Sequence, residues 1–322
     1  MPEPPEMGPI IRGLLLGGFG MMLVGGSVAV SEVLGDAPLF TAQAVRYIAA
    51  AGLLVLMSRV AGVQILRPRG SEWLWLAGIA ATGLVLFNVA IVRGVSHAEP
   101  AAIAVAVACV PVLIGLVGPL LDRQRPGQRV VLAAVVVTLG GVIVEGTGRT
   151  DAIGIGWALV ALLCEAAFTL LAIPVLRRQG AWGVSLHTVW IASVMLLVFG
   201  VVAEGPQAVV RLRPDHWAAI GYLAVMVTAV AFVCWYSSVA IIGAARAGLL
   251  TGIAPPAAAV VGAVAIGQAP GVPVWLGMGV VCAGLAIGLG SIHRTAARDA
   301  KEESVEEPQP LHPSAAAVVT DE

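Results

Sequence analysis

Gln124-Arg125-Pro126-Gly127 and Gln268-Ala269-Pro270-Gly271 stand 144 positions apart and open the same pattern twice. At that offset Val130 aligns with Val274, Leu132 with Leu276, and Val136-Val137 with Val280-Val281. Gly140 aligns with Gly284 and Ile143 with Ile287. Upstream, Pro111 aligns with Pro255, Val117 with Val261 and Gly118 with Gly262. Both copies are flanked by long apolar stretches almost free of charge. A duplicated apolar chain is a common plan of secondary carriers, which hold substrate between their halves.

Only 11% of the 322 residues are charged and 59% are hydrophobic. A soluble domain carries about 25% charged residues. This much apolar surface exceeds what one soluble core can hide, so much of it faces lipid. The net charge of -1 says nothing about nucleic acid, but no basic patch is interleaved with aromatics, and no nucleic-acid partner is expected. Cys109, Cys164, Cys234 and Cys282 lie inside apolar stretches without CxxC or Cys/His spacing. They read as free thiols, with no metal site and no cofactor implied. Pro2 to Glu6 is acidic and proline-rich and lacks a small-residue cleavage site, so the first apolar segment is expected to stay as a membrane helix.

A spanning helix needs about 20 mainly apolar residues. Ten are predicted, over 10–33, 39–59, 72–93, 99–121, 129–146, 153–175, 184–203, 217–239, 246–266 and 272–291. Thirteen basic residues, among them Arg12, Arg59, Arg67, Arg123, Arg177 and Lys301, fall on one side; Arg93, Arg149, Arg211 and Arg213 fall on the other. The positive-inside rule places the first group, and both termini, in the cytoplasm. Five helices per copy is an odd number, so the copies enter the membrane from opposite sides. The expectation is an all-α membrane protein with two inverted five-helix repeats, 1–146 and 147–291, and a disordered cytoplasmic tail, 292–322. Six tryptophans near helix ends, including Trp73, Trp75 and Trp275, read as interfacial anchors.

The chain resembles the EamA-type drug/metabolite transporter superfamily over about residues 10–291. The resemblance is carried by Arg46 in Leu39-Phe40-Thr41-Ala42-Gln43-Ala44-Val45-Arg46-Tyr47 and by the small-residue stretch from Val95 to Pro111. The matching stretch is Gly243-Ala244-Ala245-Arg246-Ala247-Gly248-Leu249-Leu250 leading to Pro255. The family's Gly-Glu pair is altered to glutamine at Gln124 and Gln268, and Glu165 stands where a tryptophan is often found. The resemblance implies a ten-helix carrier of the cell (inner) membrane that exports small metabolites, amino acids or toxic compounds.

Several residues point to a transport path. Pro111 and Pro255-Pro256 interrupt the fourth and ninth helices at matching positions. A proline there frees a carbonyl, which is tolerable only against protein or a wet cavity. Such matched interruptions mark a cavity-lining or hinge region, or else a packing kink. Glu165 lies near the middle of the sixth helix, where an acid costs about 2.5–3.5 kcal/mol on insertion scales. It reads as a substrate or proton-coupling group, or as a structural carboxyl. Arg46 reads as an anion contact, a partner for Glu165, or a clamp on a helix end. Asn88, Trp190, Trp235 and Tyr236 suit the wall of a pocket for mixed polar and apolar solutes. Glu32, Asp36, His97 and Glu99 gather at the external face as a vestibule or as solvated loops.

The partners expected are a small-molecule substrate, membrane lipids and a possible homodimer mate. The absence of GxxxxGK[ST] removes ATP drive within the chain. A channel would need rings of like charge or a repeated filter. A non-transporting receptor falls with the channel as the alternative class, and an intramembrane lipid-modifying enzyme would need a clustered His/Asp/Glu constellation.

Overall fold

A computed structural model describes residues 7–121, 125–146, 148–266 and 271–305. Gln124, Gln268 and the last stretch of the tail, 306–322, lie outside the described residues. Those described are helical, with no strand beyond the single bridge of Ala98 and Thr150.

Ten helical segments follow one another. They are α1 (Met7–Gly26), α2 (Leu39–Val60), α3 (Glu72–Gly94), α4 (Pro100–Val107 and Val110–Leu121) and α5 (Gln128–Glu145). Then come α6 (Ala152–Leu170), α7 (Ile173–Ala203), α8 (Pro214–Ile242), α9 (Ala244–Leu249 and Ala254–Ile266) and α10 (Val272–Val305). Among the described residues, nine of these are long and apolar enough to cross a membrane; the apolar part of α10 is Val272–Gly288. Leu74, Leu132, Leu163 and Val202 are each more than half exposed. In a membrane they meet lipid tails, while Ala50, Ile79, Ala161, Leu196 and Ala247 pack inside at 0% exposure or close to it.

The expected helix ends hold to within a few residues except around the first, sixth, seventh and tenth helices: α6 stops at Leu170, and α10 continues to Val305, into the stretch expected as tail. α1 stops at Gly26, and a separate turn, Val28–Glu32, follows. α7 starts at Ile173 rather than near 184. Pro174 sits in its first turn, where proline lacks no needed bond. Gly180, at φ 64, then kinks the segment where a loop was expected.

The 144-residue offset recurs in the elements. Pro100 and Ala244, Val110 and Ala254, and Gln128 and Val272 each begin equivalent segments. A π-helical stretch interrupts α3 at Ala80–Leu86, and its counterpart interrupts α8 at Leu223–Ala231. α5 and α10 pack against each other reciprocally. A Cβ on Gly140 would lie 2.7 Å from the Val281 nitrogen, and one on Gly284 would lie 2.8 Å from the Val137 nitrogen. Gly277 likewise meets Val144, so contacts climb one helix as they descend the other and the pair runs antiparallel. α2 and α7 also run antiparallel. Phe40 meets the Phe199 ring at 5.7 Å near one end, and His187 Nε2 lies 2.9 Å from the Leu66 carbonyl beyond the other.

Candidate functional site

Both π-helical stretches place polar groups in the interior. A π turn shifts the helical ladder and leaves backbone groups to be satisfied by side chains. In α3, Thr82 donates to the Gly78 carbonyl at 2.7 Å and Asn88 Nδ2 to the Leu84 carbonyl at 2.5 Å. Asn88 Nδ2 also lies 3.3 Å from the Tyr47 hydroxyl. In α8, Thr228 is fully buried and accepts from Arg46 Nε at 2.9 Å.

Arg46 is therefore fixed at the interior between α2 and α8. Its Nη1 donates to Gln43 Oε1 at 3.3 Å, and its guanidinium lies 5.3 Å from the Tyr47 ring centroid. It forms no ion pair with a described carboxylate, and Glu165 is not its partner. A buried cation held only by neutral oxygens and a ring retains capacity for an anion.

Glu165 belongs to a second group. On α6, the Phe168 carbonyl accepts from the Tyr236 hydroxyl at 2.9 Å, and Thr169 Oγ1 accepts from Trp235 Nε1 at 3.1 Å. Phe168 packs against Tyr236 and Phe232, with ring centroids at 5.0 and 4.8 Å. The Glu165 carboxyl lies deep in the bundle, within electrostatic range of Tyr236 and Cys164. It nevertheless keeps accessible surface and has no hydrogen bond or ion pair to a described residue. A half-buried carboxyl without a described partner, on a membrane helix, is a candidate site group.

The proline interruptions also meet. α4 breaks at Ala108 and Cys109, and Pro111 falls in the first turn after the break, with no N–H to return to Val107. α9 tightens into a 3₁₀ turn over Leu250–Ile253, and Pro255 and Pro256 open the helix beyond it. A Cβ on Gly141 would lie 3.0 Å from the Ala108 Cβ and 3.8 Å from Pro255 Cγ, so the two breaks flank one point of α5. Pro111 thus restarts a broken helix, while Pro255 and Pro256 follow a tightened turn in a continuous one.

The structure gathers Arg46 with Asn88, through Tyr47, and Trp235 and Tyr236 with the helix of Glu165. Trp190 lies elsewhere. Its Nε1 donates to His187 Nδ1 at 3.0 Å and its ring meets Trp73 edge-on at 6.0 Å, near the start of α3. Asp36, His97 and Glu99 are paired rather than loose. Asp36 binds Arg213 and His216, His97 binds Asp151, and Glu99 binds Arg149. The roles of Gln43, Tyr47, Thr169 and Thr228 were not foreseen, because threonines and glutamines in apolar helices commonly bond their own backbone.

Comparison with known proteins decides the family. The EamA-like transporter family matches residues 11–145 and again 152–289.

The chain belongs to the EamA-like transporter family.

It is accordingly a multi-pass transporter of the cell membrane and not an enzyme. An uncharacterized transporter of Bacillus subtilis, YetK, is 23% identical over 252 residues, covering 76% of each chain. A probable terminal-alkyne amino-acid exporter of Streptantibioticus cattleyicolor is 26% identical over 212 residues, 63% of this chain and 69% of that one. One crystal structure shares the fold with a TM-score of 0.74 at 20% identity, covering 88% of this chain and 98% of the other.

Proposed function

We propose that this EamA-family member is a secondary active exporter of small amino-acid-like or related metabolites, working by alternating access. Ten spans arranged as two inverted five-helix halves, with both termini in the cytoplasm, are part of the proposal. The antiparallel packing of the equivalent helices α5 and α10 supports inversion, and the distribution of basic residues supports the orientation.

The observation that carries the reading is Glu165, an acid deep in the bundle with accessible surface and no described partner. An intramembrane acid of this kind is a functional group by default. In the proposed cycle it takes up a proton or meets a substrate ammonium. Arg46, held by Thr228 and Gln43, receives the substrate's anionic end. Trp235, Tyr236 and Asn88 wall the apolar part, and the paired breaks at Pro111 and Pro255-Pro256 let helices flex around it. The name of the Streptantibioticus relative supports amino-acid-like cargo.

The test is an export profile. Cells expressing the wild type, Glu165→Gln, or neither are challenged with toxic amino-acid analogues, and secreted metabolites are measured at matched membrane levels. Protection and secretion by the wild type alone support the reading. Equal profiles for wild type and Glu165→Gln would remove Glu165 from the site.

A further inference from the structure

Two contacts at opposite ends of α2 share one design. At one end Glu72 opens α3, and its Oε2 accepts the Arg69 N–H and Gln179 Nε2, each at 2.8 Å, together with the Arg178 guanidinium. Arg178 also donates to the Arg67 carbonyl at 3.2 Å. At the other end His216 lies in the first turn of α8. Its Nδ1 faces the Arg213 N–H at 3.3 Å and its Nε2 faces Asp36 Oδ1 at 3.0 Å. The Arg213 guanidinium grips the same Asp36 carboxylate.

Glu72 and His216 are 144 positions apart, and so are Arg69 and Arg213. Their partners fall close to the same register: Arg178 and Gln179 correspond to Leu34 and Gly35, just before Asp36. Each contact ties the start of the third helix of one repeat to the entry of the second helix of the other: Asp36 precedes α2, and Arg178 and Gln179 lie in α7 before its kink at Gly180. The charges are exchanged between the ends. In one the acid starts the third helix and the base lies in α7 before its kink; in the other the bases are at the start of the third helix and the acid lies before α2. α2, with 22 residues, separates them by about 33 Å.

We infer that these contacts are quasi-equivalent latches, one at each face, which open in alternation as the halves rock. The inference rests on the alternating-access reading above. Both latches join repeat to repeat, so a rocking motion that opens one end must part Asp36 from Arg213 and His216, while opening the other must part Glu72 from Arg178 and Gln179. The Asp36 latch suits release, while at the other end the Arg178 and Glu72 side chains are 36% and 15% exposed. Arg213 and Asp36 side chains are 52% and 62% exposed, and exposed pairs exchange with water at little cost. They line a cavity of about 380 Å³ with Glu204 and Arg211. At the Glu72 end, Gln179 Oε1 is buried without a described partner, an acceptor left over in this arrangement.

The experiment reads access to position 165 without needing cargo. Glu165→Cys is placed in a chain whose four native cysteines are serine. Its reaction with a membrane-impermeant thiol reagent is timed in right-side-out and inside-out vesicles. Asp36→Asn should speed labelling at least about fivefold from the face where Asp36 lies and slow it from the other. Glu72→Gln should do the reverse. His216→Gln and Arg178→Gln, which attack the opposite member of each latch, should reproduce the same sidedness. Unchanged labelling, or a change of the same sense at both faces, would overturn the latches and leave the exporter reading standing. Labelling from a single face in every variant would overturn alternating access itself.

Discussion

At the residue scale, the interior is organised by polar groups that a lipid-facing chain would otherwise avoid. Glu165 and Arg46 were legible in sequence because a charge in an apolar helix stands out. Their surroundings were not. Thr228, the acceptor for Arg46, lies on the π-helical stretch Leu223–Ala231 of α8, and no residue pattern announced that turn. Of the alternatives open for Arg46, pairing with Glu165 is not the one seen among the described residues, since Thr228 and Gln43 take the guanidinium. Thr228→Val keeps the side-chain shape and removes the acceptor. An unmet buried donor costs about 1–3 kcal/mol, so the detergent-solubilised variant should melt several degrees lower in a fluorescence assay. Arg46→Gln separates binding from scaffolding. If Arg46 receives the substrate anion, KM for transport should rise about tenfold or more while the variant still reaches the membrane. An unchanged KM with a lowered melting temperature would make Arg46 a clamp.

At the element scale, the duplication was readable and its geometry was not. Apolar identities at a fixed offset gave the matched helices, but the reciprocal contact of α5 with α10 depends on how close two backbones come. Gly140 and Gly284 occupy equivalent places there, each against the other helix's backbone nitrogen. Alanine at either position overpacks the seam, at a cost of about 1–3 kcal/mol. Gly140→Ala and Gly284→Ala should therefore lower the melting temperature by similar amounts. A large effect from one and none from the other would contradict the equivalence. The proline breaks make a different prediction. Pro111→Ala restores an N–H and lets the two parts of α4 join, so transport should fall severalfold while the melting temperature holds or rises.

At the scale of the whole molecule, connections that read as solvated loops turn out to carry ion pairs between distant parts of the chain. Sequence could supply the charges of Asp36, Asp151 and Glu204 but not their partners 54 to 180 positions away. The Arg213 guanidinium, then His216, hold the Asp36 carboxyl below its usual range. The Gly154 N–H, then His97, do the same for Asp151. Depressed carboxyl values add stability above the unfolded value, about 3.9, which is lost as pH falls through the folded one. Melting temperature should thus be level near neutrality and decline below about pH 4. Asp151→Asn keeps a helix cap and removes the charge, so it should melt slightly lower at pH 7 with a shallower acid decline. The central claim is that a site containing Glu165 moves small amino-acid-like solutes across the membrane. The most direct measurement is efflux from proteoliposomes holding purified protein and a labelled solute identified by the export profile, under an imposed proton gradient. Wild type should release the solute in step with the gradient, and Glu165→Gln should lose that dependence. Release by Glu165→Gln at the wild-type rate and with the same gradient dependence would contradict the account.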